Sequence, residues 1–145
     1  MNQPKGTVRD WMTPNPITTT AETSLLRAYE LMQERAVRRL PVVDAAGGLV
    51  GIITRSDLLQ ILPFTREGTS HSELVFAFAG QAVEDLMTAN PISVAPGDSI
   101  GRVAKQMITR KVSGIPVVAE GRVVGIITES DIFRVVVESW PDEQA

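Results

Sequence analysis

The stretch Val8-Arg-Asp-Trp-Met-Thr-Pro-Asn-Pro-Ile17 occurs twice in this chain, the second time as Val83-Glu-Asp-Leu-Met-Thr-Ala-Asn-Pro-Ile92, 75 residues further on. The same offset holds through matching positions that run from Ser24 to Val43 in the first copy. A turn that is one residue shorter in the second copy then reduces the offset to 74, so that Gly51-Ile-Ile-Thr54 matches Gly125-Ile-Ile-Thr128. Self-similarity at a fixed spacing indicates one supersecondary unit that is written twice.

The composition is that of an ordinary globular protein and excludes several chemistries. The 145 residues carry a formal net charge of -3, are 43% hydrophobic, and include no cysteine and one histidine, His71. Without cysteine there are no disulfide scaffolds, thiolate metal sites or cysteine nucleophiles. A single histidine cannot form a multi-histidine metal site, and it has no neighbouring catalytic partner by motif. We therefore predict no metal site, no catalytic residues and no enzyme.

The charge and hydropathy patterns also bear on partners and location. A mildly acidic chain without a dense lysine or arginine block is a poor nonspecific binder of nucleic acid, because that affinity comes largely from neutralising phosphates. The start of the chain lacks the apolar core of a secretory signal, and no run approaches the roughly 18 apolar residues of a membrane span. The sequence predicts a cytoplasmic protein with no nucleic-acid or membrane partner.

Each copy predicts the element order strand, helix, strand, strand, helix, which is an α+β fold. Apolar residues at helical spacing follow capping residues, Thr23 or Ser24 in one copy and Asp98 or Ser99 in the other. Two β-branched runs joined by a glycine-containing turn then predict a hairpin. The expected elements are extended stretches at Ile17–Thr19 and Ile92–Val94, hairpins at 40–53 and 115–127, and final helices at 57–62, ending at Pro63, and 131–139.

The predicted organisation is two half-domains with a linker between them. We place the first repeat at residues 1–66, the linker at 67–80 and the second repeat at 81–145. A unit of about 60 residues buries only about 60% of its chain surface, so we expect the repeats to pack sheet to sheet with pseudo-two-fold symmetry. The polar segment Phe64–Glu73 predicts a surface loop, and Leu74–Ala79 predicts an apolar helical stretch.

The ordered set of motifs resembles the cystathionine-beta-synthase (CBS) domain family, in which two tandem domains make a Bateman module. The resemblance rests on Met12-Thr-Pro-Asn-Pro with Met87-Thr-Ala-Asn-Pro, Leu40-Pro-Val-Val with Ile115-Pro-Val-Val, and Gly51-Ile-Ile-Thr-Arg-Ser-Asp57 with Gly125-Ile-Ile-Thr-Glu-Ser-Asp131. These motifs cover nearly the whole chain, from about Val8 to Val137. No single motif is specific, but the ordered set occurs twice.

The resemblance implies a stand-alone regulatory module rather than a catalyst. Family members bind adenosine-containing ligands, such as AMP, ADP, ATP or S-adenosylmethionine, in clefts between the two repeats. They commonly pair into disc-like dimers. We therefore expect an adenosine-type ligand, no required cofactor, a homodimer and a separate, unknown protein partner that receives the signal.

Thr54 with Asp57, and Thr128 with Asp131, stand where a strand gives way to a helix in each copy. One interpretation is helix capping, although a reciprocal capping box prefers Glu or Gln at the third position. The other is ligand binding, because a short carboxylate can accept hydrogen bonds from ribose hydroxyls while the threonine meets a phosphate. The family uses its threonine and aspartate in those roles, and the threonine can do both.

The residues that precede the hairpins differ between the copies. Arg38 and Arg39 precede the first hairpin, and Ser113 and Gly114 hold the matching places in the second. The arginines can be a solvated rim, or they can make charge-assisted contacts with phosphate, as basic residues do at this motif position in nucleotide-binding members of the family. The first-copy arginines favour a phosphorylated ligand, and the uncharged second-copy residues leave room for a base or sugar.

Four further candidates carry weaker signals. In the family a hydroxyl at the positions of Thr18 and Ser93 often lies near the adenine or ribose, although a surface strand residue is as common. Val37 and Val112 line the adenine pocket by resemblance, or pack in the core. His71 receives no role. The sparse aromatic residues are either dimer anchors or core residues; they are Trp11, Phe76, Phe78 and Trp140.

The leading hypothesis is an adenine-nucleotide sensor whose ligand changes a dimer or partner surface through its differential affinity for two states. The alternative is a constitutive protein-interaction scaffold with no bound ligand. An enzyme is disfavoured because the chain has no cysteine, no paired histidine and no phosphate-loop glycine pattern. Nucleic-acid binding is disfavoured by the net negative charge.

Overall fold

Both repeats fold into a short three-stranded sheet with helices, and the computed structural model describes residues 6–62 and 70–142. The first part of the chain contains α1 (Val8–Trp11), β1 (Thr13–Pro14), α2 (Leu25–Arg35), β2 (Arg39–Val43), β3 (Leu49–Thr54) and α3 (Arg55–Leu59). The second contains α4 (His71–Phe78), a 3₁₀ turn (Val83–Asp85), β4 (Thr88–Ala89), α5 (Ile100–Arg110), β5 (Gly114–Ala119), β6 (Arg122–Thr128) and α6 (Glu129–Ser139). The predicted α+β class is confirmed.

The two long N-terminal helices of the repeats begin and end alike. Ser24 caps α2 by accepting a hydrogen bond from the Arg27 N–H at 3.1 Å, and Ser99 caps α5 from the Arg102 N–H at 3.1 Å. The structure thereby selects the serine from each predicted pair of caps. Both helices end at a residue in the left-handed region, Ala36 at φ 54° and Lys111 at φ 56°.

The predicted hairpins are confirmed and share one register. Pro41 lies opposite Ile52 in the β2–β3 pair, and Pro116 lies opposite Ile126 in the β5–β6 pair. In each hairpin the register shifts just after these pairs, between Val42 and Val43 and between Val117 and Val118. The first strand of each hairpin, β2 or β5, is largely buried and places its apolar residues in the core of its unit.

Each sheet takes its third strand from the Met-Thr-x-Asn-Pro motif near the start of the other repeat. Strand β1 pairs with β6, and β4 pairs with β3, both antiparallel. The asparagines of the two Asn-Pro motifs follow these strands at φ 49°, a backbone conformation that asparagine tolerates better than most residues. Their N–H groups donate to Val124 O and Val50 O, at 3.1 Å each, and so tie the motif to its sheet.

This exchange divides the chain into two compact units, each with its own core. One unit runs from Ile17 to Pro91, and the other joins the residues up to Pro16 with those from Ile92 onward. The first core is built around Leu25, Leu40 and Ile53, and the second around Val8, Ile115 and Ile127, all fully buried. The repeat boundaries at residues 66 and 81, and the sheet-to-sheet packing, stay predictions.

The bounds of several predicted elements differ from the structure. The extended stretches Ile17–Thr19 and Ile92–Val94 reduce to single parallel bridges, Thr19 with Val42 and Val94 with Val117, because only one residue of each reaches the neighbouring strand. The helix predicted at 57–62 is α3 at Arg55–Leu59, because Thr54 caps it and it begins two residues earlier. Pro63 lies outside the described residues.

The predicted loop at Phe64–Glu73 is wrong in its last part. Ser70 caps α4 by accepting from the Glu73 N–H at 3.2 Å, so that His71 and the two residues after it are helical. Residues 64–69 of the predicted loop lie outside the described residues. The helical stretch predicted at Leu74–Ala79 is confirmed, with its last helical residue at Phe78.

Candidate functional site

The predicted ligand-binding residues divide evenly between the two compact units. The unit from Ile17 to Pro91 holds Thr18, Val37, Arg38, Arg39, Thr54 and Asp57. The other unit holds Ser93, Val112, Ser113, Gly114, Thr128 and Asp131. Each repeat therefore presents a complete set of matched positions.

At the first repeat, Thr54 and Asp57 form a reciprocal capping box. The Thr54 N–H donates to Asp57 Oδ2 at 2.9 Å, and the Asp57 N–H donates to Thr54 Oγ1 at 3.1 Å. The shorter aspartate is no obstacle, since Asp85 and Asp98 also accept the N–H of the residue three positions earlier, at 2.8 Å each. The capping interpretation is confirmed, and the ligand role of the half-buried Asp57 stays a prediction.

At the second repeat, the matching aspartate has an additional partner. The Thr128 N–H and hydroxyl both donate to Asp131 Oδ2, at 2.8 and 3.2 Å. Arg134 Nη2 donates to Asp131 Oδ1 at 2.7 Å and to the Trp11 carbonyl oxygen at 3.0 Å. The Arg134 guanidinium also lies 5.8 Å from the centre of the Trp11 ring. Asp131 is only 5% exposed and is ion-paired with Arg134.

The sequence did not single out Arg134, and it offered little reason to do so. The contact with Trp11 joins residues 123 positions apart, beyond the reach of any helical or strand periodicity. The spacing between Asp131 and Arg134 was a usable signal, because residues three apart are neighbours on a helix.

The residues before each hairpin are tied by the backbone to the start of the helix that follows it. The Arg55 N–H donates to the Arg38 carbonyl oxygen at 2.7 Å, and Arg39 lies opposite Thr54 in the β2–β3 pair. In the second repeat, the Glu129 N–H donates to the Ser113 carbonyl oxygen at 3.0 Å. Gly114 lies opposite Thr128 in the β5–β6 pair. The structure therefore brings the pre-hairpin and capping positions together in both repeats.

One cavity lies beside α2 and another beside α5, and their linings match only in part. The first has a volume of about 450 Å³ and is lined by Tyr29, Val37, Arg38 and Arg55, among others. The second has a volume of about 220 Å³, and its lining includes Met107, Glu129 and Phe133. Arg55 and Glu129 hold matching positions, so the two cavities carry opposite charges at this place. Arg55 is a candidate that sequence reasoning did not single out, although it lies within the quoted motif.

The weaker candidates have less defined surroundings. Thr18 is half-buried and Ser93 is exposed. The side chains of Val37 and Val112 pack against the two cores, as their core interpretation predicts, and Val37 also lines the larger cavity. His71 is exposed in the first turn of α4.

The four large aromatic residues separate into two classes. Trp11 and Phe78 are 8% and 2% exposed and belong to the cores of their own units, so they are not dimer anchors. Phe76 and Trp140 are 86% and 74% exposed. Among the described residues, no helix is both long and apolar enough to cross a membrane.

Comparison with known proteins identifies the family. The family model of the CBS domain matches residues 8–63 and again residues 83–138. Arabidopsis thaliana CBSX2, solved in complex with AMP, is 31% identical; the match covers 92% of this chain and 98% of that chain with a TM-score of 0.79. The CBS domain pair of protein MJ0100, solved with 5′-methylthioadenosine and S-adenosyl-L-methionine, is 32% identical; the match covers 91% and 96% with a TM-score of 0.75.

The chain therefore belongs to the CBS-domain family, and its matched residues form a tandem CBS pair. Curated relatives include the L-aspartate semialdehyde sulfurtransferase of Methanocaldococcus jannaschii, which is 33% identical over 135 residues. The match covers 92% of this chain and 24% of the sulfurtransferase. The chain also spans 46% of the length of protein MJ1225 from the same organism.

Proposed function

We propose that this chain is a non-catalytic regulatory module that binds an adenosine-containing ligand, and that its first repeat binds a phosphorylated form such as AMP. The proposal needs no resident cofactor. It is supported by the complexes of CBSX2 with AMP and of the MJ0100 pair with 5′-methylthioadenosine and S-adenosyl-L-methionine. The single observation that carries it is the cavity of about 450 Å³ in which Arg38 and Arg55 come together.

The first repeat offers complementary groups for the two ends of such a ligand. Two guanidinium groups can make bidentate, charge-assisted hydrogen bonds with phosphate oxygens. The Asp57 carboxylate uses Oδ2 for the Thr54 N–H, which leaves Oδ1 to accept a ribose hydroxyl. Val37, which lines the cavity with Arg38 and Arg55, supplies apolar surface to an adenine ring. Thr18 and Arg39 complete the proposed set for this repeat.

The proposed set for the second repeat consists of Ser93, Val112, Ser113, Gly114, Thr128 and Asp131. Because Ser113 and Gly114 carry no charge, this set favours the sugar or base of a ligand over its phosphate. Glu129, next to the capping Thr128, adds a negative charge that disfavours phosphate further.

Calorimetric titration of the purified chain with AMP, ADP, ATP, S-adenosylmethionine and adenosine tests the proposal. Arg38→Gln is expected to weaken AMP binding at least tenfold while adenosine binding stays unchanged, because adenosine has no phosphate. Asp57→Ala is expected to weaken both. Arg110→Gln, in the other unit, controls for the loss of a positive charge, and Asp85→Ala controls for the loss of a cap. Absence of binding by every one of these ligands contradicts the proposal.

A constitutive scaffold is the second candidate, and one observation favours it. In both Thr-x-x-Asp motifs the aspartate accepts the N–H of the threonine, so each motif has a capping role without any ligand. A scaffold predicts that AMP leaves the melting temperature unchanged, whereas a ligand that binds only the native state must raise it.

We further propose that the signal is passed on through a second copy of the chain and then to a separate protein. The proposed contact is the exposed apolar surface at the end of α6, where Phe133, Val137 and Trp140 are 63%, 66% and 74% exposed. Phe133 and Val137 lie one turn apart on the helix, and Trp140 directly follows its last residue, Ser139. The disc-like pairing that the family resemblance implies requires such a self-complementary face. Sedimentation velocity with and without AMP is expected to detect a dimer whose stability depends on the ligand.

A further inference from the structure

We propose that Arg134 withholds the second-repeat Asp131 from the ligand, so that the first repeat is the principal AMP-binding half of the module. Arg134 would then determine which repeat is occupied. This inference rests on the proposed function, because it assigns the occupancy of the same sites.

The two oxygens of the Asp131 carboxylate are both engaged within the protein. Oδ2 accepts the Thr128 N–H at 2.8 Å, and Oδ1 accepts Arg134 Nη2 at 2.7 Å. A contact of that length to a cation is a strong hydrogen bond, and the carboxylate is 5% exposed. A ribose hydroxyl must displace the guanidinium before it reaches Oδ1.

Arg134 is itself held in place by α1. The same Nη2 atom donates to the Trp11 carbonyl oxygen at 3.0 Å, and the guanidinium lies over the Trp11 ring at 5.8 Å. Trp11 is 8% exposed and belongs to the core of its unit. Moving Arg134 away therefore breaks an ion pair, a hydrogen bond to the backbone and a cation–π contact together.

The unit from Ile17 to Pro91, which holds the site residues of the first repeat, has other residues at the matching positions. Gln60 holds the position that matches Arg134, and Leu86 holds the position that matches Trp11. Within residues 6–62 and 70–142, no arginine or lysine forms an ion pair with Asp57. The larger cavity with its two arginines belongs to this same repeat, so both observations favour the first repeat for an anionic ligand.

The test uses AMP and a background in which the first repeat is disabled. Asp57→Ala is expected to reduce AMP affinity at least tenfold and to leave the second repeat as the only site. Adding Arg134→Gln, which installs the first repeat's own residue, is expected to raise the AMP affinity of the Asp57→Ala variant at least tenfold. Arg134→Lys keeps the positive charge but not the planar fork, and it should restore less.

The reciprocal variant transfers the arginine to the first repeat. Gln60→Arg is expected to weaken AMP binding to the otherwise unchanged chain, because the new side chain lies three positions after Asp57. The Arg134 side chain is 56% exposed, so its replacement should fold, and melting curves verify this for every variant.

The outcomes separate this inference from the function on which it rests. If the unchanged chain binds neither AMP nor S-adenosylmethionine, the proposed function fails and this inference fails with it. If the unchanged chain binds AMP, and Asp57→Ala and Asp131→Ala weaken that binding by the same factor, the proposed function stands and this inference is overturned. If Arg134→Gln lowers AMP affinity in the Asp57→Ala background, Arg134 is a ligand contact rather than a competitor, and the inference is again overturned.

Discussion

The two repeats use one backbone design and surround their matched aspartates differently. Asp57 and Asp131 both accept the N–H of a capping threonine, at 2.9 and 2.8 Å. Among residues 6–62 and 70–142, only Asp131 of the two also pairs with an arginine, whereas the cavity of the first repeat is lined by two arginines. Repeated sequence therefore predicts a repeated scaffold, whereas the residues between the matching positions decide what each copy binds.

The largest expected loss of stability is in the two buried cores, where the repeats are most alike. Ile53 and Ile127 are fully buried at matching positions of β3 and β6. Replacement of either by alanine should lower the free energy of unfolding by about 2–5 kcal/mol, through lost burial and the cavity left behind. Urea unfolding followed by circular dichroism measures both variants. A loss below about 1 kcal/mol at one site alone would show that the two cores are not equivalent.

A smaller effect is expected at Gly51 and Gly125, where the methionine just before β4 or β1 packs against the glycine. A Cβ at Gly51 would overlap Met87 Sδ and would lie 3.1 Å from the Thr88 carbonyl oxygen. A Cβ at Gly125 would lie 2.6 Å from Met12 Sδ and 3.0 Å from the Thr13 carbonyl oxygen. Gly51→Ala and Gly125→Ala should each destabilise the fold by about 1–3 kcal/mol, as overpacking does.

The chain supplies a matched control for these glycine variants. Gly101 lies in α5, and a Cβ there would meet nothing within 4 Å. Gly101→Ala should therefore raise the melting temperature slightly, because alanine favours the helix by up to about 1 kcal/mol. If Gly51→Ala behaves like Gly101→Ala, the close approach of Met87 and Thr88 does not constrain the sheet.

The smallest expected effect lies on the surface of the N-terminal helices, where the repeats differ in charge. Arg27 on α2 pairs with Glu34 at 3.1 Å and lies 3.7 Å from Glu30. Lys105 and Thr109 stand at the matching places around Arg102 on α5. Arg27→Ala should cost about 0.2–0.5 kcal/mol in dilute buffer and almost nothing at 1 M salt, since exposed pairs are weak and screened.

Arg102→Ala provides the comparison for the surface pair. It should leave the free energy of unfolding unchanged at both salt concentrations, because Arg102 has no acidic residue at those spacings. A cost for Arg102→Ala that equals that of Arg27→Ala would mean that helix propensity, and not the ion pairs, sets the difference.

Sequence predicted the elements whose causes are local. Helix α2 and its cap follow from apolar spacing behind Ser24, and the hairpins follow from β-branched runs around short turns. The start of α4 at His71 was missed because the polar composition of the segment hid the capping Ser70. The exchange of strands β1 and β4 was also missed, since two-residue strands carry no periodicity and their partners lie far along the chain.

In the candidate site, too, the sequence predicted the local features and missed the long-range contact. The Thr-x-x-Asp caps and the arginines before the first hairpin were identified from matched positions, and their adjacency is a consequence of the shared hairpin register. The contact of Arg134 with Trp11 depends on where α1 packs. Periodicity within a repeat does not contain that information, because α1 stands at the start of the first repeat in sequence and packs in the core formed by residues from Ile92 onward.

The reciprocal exchange of strands also bears on how such a chain can arise. A gene that encoded only one half would leave β1 without β6 and could complete its sheet only with the strand of another molecule. Duplication and fusion of that gene would convert an intertwined pair of short chains into a single longer chain. Separating the halves by cutting the linker would then leave two fragments that reassociate rather than two independent domains.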